Sequence, residues 1–169
     1  MTIGKLEPIK ERFVKLTGEE TFIKESSFAL QHITKNPQLQ KCPQASLTSA
    51  ILNVAQYGLT LNPIHKQAYL IPRWDRNSNS MLCYLEPSYQ GLITAVCKSG
   101  RIRNMVAGVV YAEDTFEMAM GTSPSLNHVP SKVKNRGAKT HVYAIAFFPD
   151  KTFQFEVMTW AEIEEVRET

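Results

Sequence analysis

Positively charged residues recur at a two-residue spacing in two parts of the chain. Arg101 and Arg103 lie two apart in a segment that is predicted to be a strand. Alternate residues of a strand point to the same face, so both cations would share one surface. Lys98 comes just before them, and no acidic residue occurs between Glu86 and Glu113. A surface of this kind suits a polyanion, most often a nucleic acid.

A second group of cations occurs in a stretch that is rich in Gly, Pro and Ser. Lys132, Lys134 and Arg136 alternate along the sequence, and Lys139 adds a fourth positive charge. If the stretch is extended, the first three side chains share a face. The functional interpretation is a phosphate-binding loop, and the simpler alternative is a mobile loop whose lysines are only solvated.

A third candidate surface combines cations with aromatic residues. Arg73, Trp74 and Arg76 lie on a predicted hairpin, and Tyr89 begins the helix that follows it. This mixture suits single-stranded nucleic acid, because cations contact phosphates while flat groups stack on bases of any sequence. For Trp74, packing on the other face of the hairpin is an equal alternative. For Tyr89, a buried position on the helix is favoured over base stacking.

The usual catalytic motifs are missing from the sequence. It contains no GxxxxGK[ST] loop for ATP, no GxSxG nucleophile turn and no HExxH zinc helix, and its four histidines are scattered. We therefore predict no catalytic residue, no metal site and no cofactor. One rival interpretation is a metal-dependent nuclease that would use Asp75, Glu86, Asp114 or Glu117.

The net charge of +3 conceals a segregation of charge along the 169 residues. Residues 1–25 are balanced, residues 26–149 carry +7 and residues 150–169 carry −4. The acidic C-terminal residues are interpreted as a solvated helix face, or alternatively as a surface that docks on the basic centre of a neighbouring copy. A protein-interaction or structural component, whose basic centre meets an acidic protein, is a second rival.

Composition and cysteine content limit the class of protein. Hydrophobic residues make up 43% of the chain, which is enough for a core. No apolar run approaches the roughly 20 residues of a membrane span, and the N-terminus has no signal-peptide pattern. Cys42, Cys83 and Cys97 are odd in number and widely spaced, so we expect buried free thiols in a reducing cytoplasm.

The patterning predicts an α+β fold in a single domain, with N-terminal helices followed by β-hairpins packed around a central helix. Helical spacing indicates helices over Lys5 to Leu16, around Phe22 to Ile33, and from Pro43 to Gly58. Residues 1–42 are expected to form a helical segment, a candidate for oligomer contacts, and residues 43–169 the core domain.

Strands are indicated by β-branched residues and by polar turns. The predicted elements after the helices are Ala68 to Ile71, Met81 to Leu85, a helix over Tyr89 to Lys98, Ile102 to Tyr111, Phe116 to Met120, His141 to Phe148, Thr152 to Met158 and a helix from Thr159 onward. Gly121 to Thr140 is predicted to be a long loop. The final helix begins with the capping-box pattern Thr159-Trp160-Ala161-Glu162.

Several of these segments together resemble the RecT family of phage single-strand annealing proteins. The segments, in chain order, are Asn62-Pro63, Gln67 to Pro72, Tyr89 to Ile93, Lys98 to Gly100, Val109 to Tyr111, Asp114 with Phe116, His128 to Pro130, Tyr143-Ala144 and Met158 to Ile163. They are similar to the family's "GY-x-G-L", "D-x-F" and "H-x-P" elements in order and spacing. The match extends from about Leu47 to Arg167.

The resemblance implies an ATP-independent protein that binds single-stranded DNA and anneals complementary strands during recombination and repair. It also implies homo-oligomeric rings or filaments, and action beside a phage exonuclease and a host single-strand-binding protein. The family's basic DNA groove matches best at Arg73, Lys98, Arg101 and Arg103, and less closely at the cations from Lys132 to Lys139. Such a protein is expected to act in the cytoplasm of a bacterial or phage-infected cell.

Overall fold

The structure is a computed structural model in which residues 6–168 are described. The chain divides into two compact units, Met1–Lys98 and Ser99–Thr169. The first unit contains four helices, a hairpin and a further helix, and the second contains five strands and a final helix. The predicted α+β class, with N-terminal helices before antiparallel hairpins, is confirmed.

Helices α1 to α4 begin the first unit. Their bounds are Glu7–Thr17 for α1, Glu19–Lys35 for α2, Pro37–Gln40 for α3 and Gln44–Tyr57 for α4. Gly18 separates α1 from α2 with a φ of 88°, and Gly58 ends α4 in the left-handed conformation. The short helix α3 was not predicted; the Asn36 side chain, which accepts from the Gln38 N–H, caps it.

The core of the first unit lies between these helices and the following hairpin. The predicted apolar stripe of α4 is buried at Leu47, Ala50, Ile51 and Val54. Leu16 follows Leu6, Ile9 and Phe13 at helical spacing, but it is 54% exposed in the last turn of α1 whereas the other three residues are buried.

The hairpin pairs β1 (Ala68–Asp75) with β2 (Ser80–Pro87) in antiparallel register, and helix α5 (Tyr89–Lys98) follows. One face of the hairpin packs on the core through Ala68, Leu70 and Cys83, which are all buried. The strands extend further than predicted toward the turn at residues 76–79, because every position from Ala68 to Asp75 has a partner across the ladder.

The second unit contains a three-stranded sheet in the order β3-β6-β7 and a separate hairpin of β4 and β5. The bounds are Asn104–Tyr111 for β3, Thr115–Ala119 for β4, Ser125–Val129 for β5, Lys139–Phe147 for β6, Phe153–Thr159 for β7 and Trp160–Glu168 for helix α6. The predicted loop over Gly121 to Thr140 is therefore wrong in part. It contains β5 and the start of β6, which pair with other strands despite their polar composition.

Burial is distributed unevenly over the described residues. Nineteen buried apolar residues form one cluster in the first unit, whereas Val110 is the one buried apolar residue found in the described part of the second. Cys42 and Cys83 are buried free thiols as expected, whereas the free thiol Cys97 is only half-buried. Burial raises the pKa of Cys83 to about 12. Within residues 6–168, no helix is long and apolar enough to cross a membrane.

Candidate nucleic-acid interface

The hairpin of the first unit separates the cations and the aromatic residue that sequence reasoning placed together. Arg73 lies on the open face of the hairpin, and its guanidinium pairs with Glu86 at 2.7 Å. Trp74 points to the opposite face, near the turn, where it remains 59% exposed. Arg76 is exposed in the turn itself. Because strand residues alternate, one surface cannot present Arg73 and Trp74 side by side.

Two tyrosines that sequence reasoning did not single out lie on the open face of the same hairpin. Tyr69 and Tyr84 are diagonal neighbours in the ladder, and their side chains are 38% and 42% exposed. The alternation of Tyr69 with the buried residues Ala68 and Leu70 was a signal in the sequence that could have identified it.

The first side chain of helix α5 is exposed, whereas the last one is hydrogen-bonded to the end of α4. Tyr89 is 71% exposed, so its predicted position on a buried helix face is wrong. The cause is Gly91, which lies two residues further on and faces the Gln67 backbone, so that the first turn of α5 contacts the residue before β1 through the glycine. At the other end, the Lys98 ammonium donates to the Gly58 carbonyl at the C-terminus of α4. This contact compensates the negative end of the helix dipole.

Arg101 and Arg103 lie in the bend before β3 rather than within a strand, because β3 begins at Asn104. Both residues are exposed. The Arg103 backbone N–H donates to the Phe147 carbonyl at 2.7 Å, which attaches the bend to the end of β6. Neither arginine side chain has a hydrogen-bond or ion-pair partner within residues 6–168. The prediction that the two arginines share one face of a strand is therefore wrong, but both cations remain available for an external anion.

A buried carboxylate organises the segment that carries the other cations. The Asp114 side chain is fully buried and accepts from the Tyr111 and Ser131 backbone N–H groups, both at 2.9 Å. His128 Nε2 lies 3.1 Å from Asp114 Oδ2, and Arg136 Nε donates to Oδ1 at 2.8 Å while its Nη2 donates to Oδ2. The Arg136 guanidinium, followed by these N–H donors, holds the pKa of Asp114 far below its usual range.

An aromatic cluster surrounds the histidine of this network. The His128 ring lies between two polar partners, with Nε2 next to Asp114 and Nδ1 at 3.1 Å from the Tyr143 hydroxyl oxygen. Phe116 packs against His128 and stacks on Tyr143. Gly108, opposite Tyr143 in the ladder, leaves the space that the tyrosine ring occupies. The "D-x-F" and "H-x-P" elements therefore meet in one cluster around the buried Asp114 side chain.

The cations from Lys132 to Lys139 fall into two groups. Lys132 and Lys134 are exposed and have no side-chain partner in the described part of the chain. Arg136 is turned inward onto Asp114, and its guanidinium also lies 4.4 Å from the centroid of the Tyr111 ring. The Lys139 ammonium lies 4.2 Å from the centroid of the Trp160 ring. The first two are therefore available for an external anion, and the last two contact other side chains of the protein.

The carboxylates of the rival nuclease interpretation already have partners or lie apart. Asp75 accepts from the Ser78 backbone and hydroxyl, and Glu86 pairs with Arg73. Asp114 is surrounded by donors, and Glu117 lies on β4 opposite Asn127. Among residues 6–168, no three His, Cys, Asp or Glu side chains are grouped closely enough to hold a metal ion.

Comparison with known proteins gives two matches. Residues 24–169 match the model of the RecT family. The chain is also similar to Protein RecT of Escherichia coli (strain K12), with 37% identity over 141 residues. That alignment covers 82% of this chain and 52% of the relative, so the chain spans about half the length of the curated relative that it matches.

Proposed function

The chain belongs to the RecT family, and on that premise we propose that it binds single-stranded DNA and anneals complementary strands without ATP. It has no catalytic residue in this proposal. The observation that carries the proposal is that four cations of the second unit are exposed and have no side-chain partner in the described part of the chain: Arg101, Arg103, Lys132 and Lys134.

The proposed mechanism is electrostatic. Phosphate groups of one strand lie against the exposed Lys and Arg side chains, which reduces the repulsion that a second strand meets. Phosphate contacts carry no sequence information, so the protein accepts any sequence. The free energy of base pairing drives the reaction, and nucleotide hydrolysis is therefore not needed.

The cations of the first unit have a secondary role in this proposal. Arg76 and the exposed rings of Trp74 and Tyr89 are suited to contact a strand, since aromatic rings stack on bases regardless of sequence. Arg73 is already paired with Glu86, and Lys98 with the end of α4. Part of the hydrogen-bonding capacity of both side chains is therefore already used within the protein.

Assembly and partners are part of the same proposal and rest on membership of the family. We expect homo-oligomeric rings or filaments, with residues 1–42 contributing to the contacts between copies, and cooperation with a phage exonuclease and a host single-strand-binding protein. The site of action is the compartment that holds bacterial or phage DNA. In α6, Glu162 caps the helix and Glu164 pairs with Arg167, which favours the solvated-face interpretation of this acidic helix.

Fluorescence anisotropy with a labelled oligonucleotide tests the proposal. The R101A/R103A variant removes two exposed cations, so we expect roughly tenfold weaker binding and a salt-dependence slope smaller by about 1.4, from roughly 0.7 per phosphate contact. The matched control K66A/K151A removes two exposed lysines that lie outside the proposed interface and outside residues 1–42, and it should bind nearly as tightly as the unaltered protein.

An annealing assay completes the test. Two complementary strands that carry a fluorescence donor and acceptor should pair faster with the protein and without ATP. Incubation of one labelled strand with magnesium or manganese should leave it intact. Failure to retain an oligonucleotide in dilute buffer would exclude annealing, and cleavage would favour the nuclease interpretation.

A further inference from the structure

The Asp114 carboxylate holds both ends of one short loop segment. Its Oδ1 atom accepts from the Ser131 N–H at 2.9 Å and from Arg136 Nε at 2.8 Å. The Ala112 N–H donates to the Ala138 carbonyl at 2.9 Å, and the Glu113 N–H donates to the Arg136 carbonyl at 3.1 Å. Residues 132–135 are consequently a four-residue tip whose two ends are attached to the same buried group.

The tip is exposed, and two of its four side chains are lysines. Lys132 and Lys134 carry its charge, and the Val133 side chain between them is 52% exposed. Within the segment, the Asn135 side chain accepts from the Gly137 N–H at 3.1 Å. The positive charge of the tip is not neutralised by a carboxylate in the described part of the chain.

Arg136 differs from these lysines in every respect that bears on DNA binding. Its side chain is 29% exposed, and the Nε–Nη2 edge of its guanidinium is occupied by the two oxygens of Asp114. Tyr111 lies beneath the guanidinium plane. A phosphate could bind the Nε–Nη2 edge only by displacing a buried carboxylate, which would leave that charge without a partner.

We propose that Asp114 and Arg136 are positioning residues that present Lys132 and Lys134 as a preformed phosphate-binding finger. This inference rests on the proposed binding of single-stranded DNA. A tip with fixed ends loses less conformational entropy on binding than a free loop does, so more of the electrostatic attraction remains as affinity. Arg136 itself does not contact DNA in this arrangement.

A double-mutant cycle separates positioning from direct contact. The R136K substitution keeps the positive charge but loses the two-pronged contact with Asp114. It should weaken binding of a labelled single strand about fivefold, and the K132A/K134A variant should weaken it about tenfold, as expected for two lost phosphate contacts. In the K132A/K134A background, R136K should have almost no further effect, because the finger no longer carries cations to position.

The R101A/R103A background provides the matched control, since those two arginines lie outside the finger. R136K should there keep its full fivefold effect. The salt dependence of binding should also become weaker with R136K, although no charge is removed. The reason is that the two lysines are no longer held in position to contact phosphates.

Stability is measured in parallel, because the same network joins the loop to the hairpin of β4 and β5. If R136K does not fold, Y111L takes its place, since it removes only the ring beneath the guanidinium and keeps the contacts of Asp114. Hydrogen exchange in either folded variant should be faster at residues 131–136 and unchanged in α4.

The outcomes are distinguishable. An equal loss of affinity from R136K in both the native and the K132A/K134A backgrounds would overturn the positioning role and assign Arg136 to DNA contact. Unchanged affinity in a folded R136K or Y111L variant with a loosened tip would also overturn it, while the proposed function would stand. If the unaltered protein does not bind single-stranded DNA, the proposed function itself fails.

Discussion

At the residue scale, an unpaired cation and a paired cation look identical in the sequence. Lys134 and Arg136 are two residues apart in the same stretch, yet Lys134 is exposed and Arg136 is bound to Asp114. Lys98 and Arg101 differ in the same way, because Lys98 donates to the Gly58 carbonyl. A Lys98→Ala change would therefore alter the end of α4 as well as the charge, which makes Arg101 and Arg103 the cleaner test of DNA binding.

Because of Asp114, the stability of the folded protein should decrease at acid pH. Its pKa in the folded protein is held far below its usual value, chiefly by Arg136. A carboxyl group of this kind stabilises the fold fully above its unfolded pKa of about 3.9, and the contribution is lost as the pH falls toward the folded pKa.

The Asp114→Asn change tests this linkage. The variant should melt several degrees lower than the unaltered protein at neutral pH, because the amide keeps one acceptor but loses the charge that pairs with Arg136. The difference between the two melting temperatures should shrink as the pH is lowered below about 4. Thermal melts from pH 7 to pH 2 measure it, and a difference that stays constant over that range would contradict the linkage.

At the element scale, the start of α5 depends on a close approach between two backbones. Ser88 caps the helix by accepting from the Gly91 N–H at 3.1 Å, and its own N–H donates to the Gln67 carbonyl at 2.9 Å. A Cβ atom at Gly91 would lie 2.0 Å from the Gln67 oxygen. The glycine of the "GY-x-G-L" element therefore allows α5 to pack on the beginning of β1.

The Gly91→Ala change should destabilise the first unit by about 2–3 kcal/mol, since the methyl group forces the helix away from β1. Chemical denaturation followed by circular dichroism measures the effect. Gln90→Ala is the matched control on the same turn: within residues 6–168 its half-buried side chain donates only to the Tyr89 hydroxyl, at 3.3 Å, which predicts a change within about 0.5 kcal/mol. Equal stability of G91A and Q90A would show that the backbones are not in the contact described here.

Helix α6 illustrates an element whose beginning was predicted in detail. The Thr159 N–H donates to the Glu162 carboxylate at 2.7 Å, and the Glu162 N–H lies 3.3 Å from the Thr159 hydroxyl. The reciprocal capping box is thus confirmed. The Thr159 N–H and hydroxyl lower the pKa of Glu162. One of the acidic residues in this helix therefore has a local structural role.

At the scale of the whole molecule, the two units differ in how much apolar surface they bury. The buried cluster of nineteen residues belongs to the first unit, and the three-stranded sheet of the second unit has half-buried side chains along β6. Because buried apolar area supplies most of the stabilisation, opening should cost more free energy in the first unit than in the second.

Native-state hydrogen exchange of the intact chain tests this difference. The amides of α4, around Ile51 and Val54, should exchange most slowly, because both side chains are fully buried. The amides of β3 and β7, which form the edges of their sheet, should exchange through openings of lower free energy. Uniform protection across both units would contradict the expectation of separate stability.

The sequence by itself determined the α+β class, the type and approximate position of most elements, and the resemblance to the RecT family. Helical periodicity in α4 and the alternation of β1 are local signals, because each arises from neighbouring residues that share one face. The capping box at Thr159 and the turn at Gly58 are local for the same reason. These features could be predicted without knowing where any other part of the chain lies.

Only the tertiary structure decided which charged side chains are available. Asp114 meets Ser131 and Arg136 from positions 17 and 22 residues away, and Lys98 meets Gly58 from 40 residues away. Such partners leave no periodic trace in the sequence, because hydrogen bonds and ion pairs depend on distance in space and not along the chain. The exposure of Tyr89 and the strand within the predicted loop at Ser125–Val129 have the same origin, since packing and pairing with distant segments override local pattern.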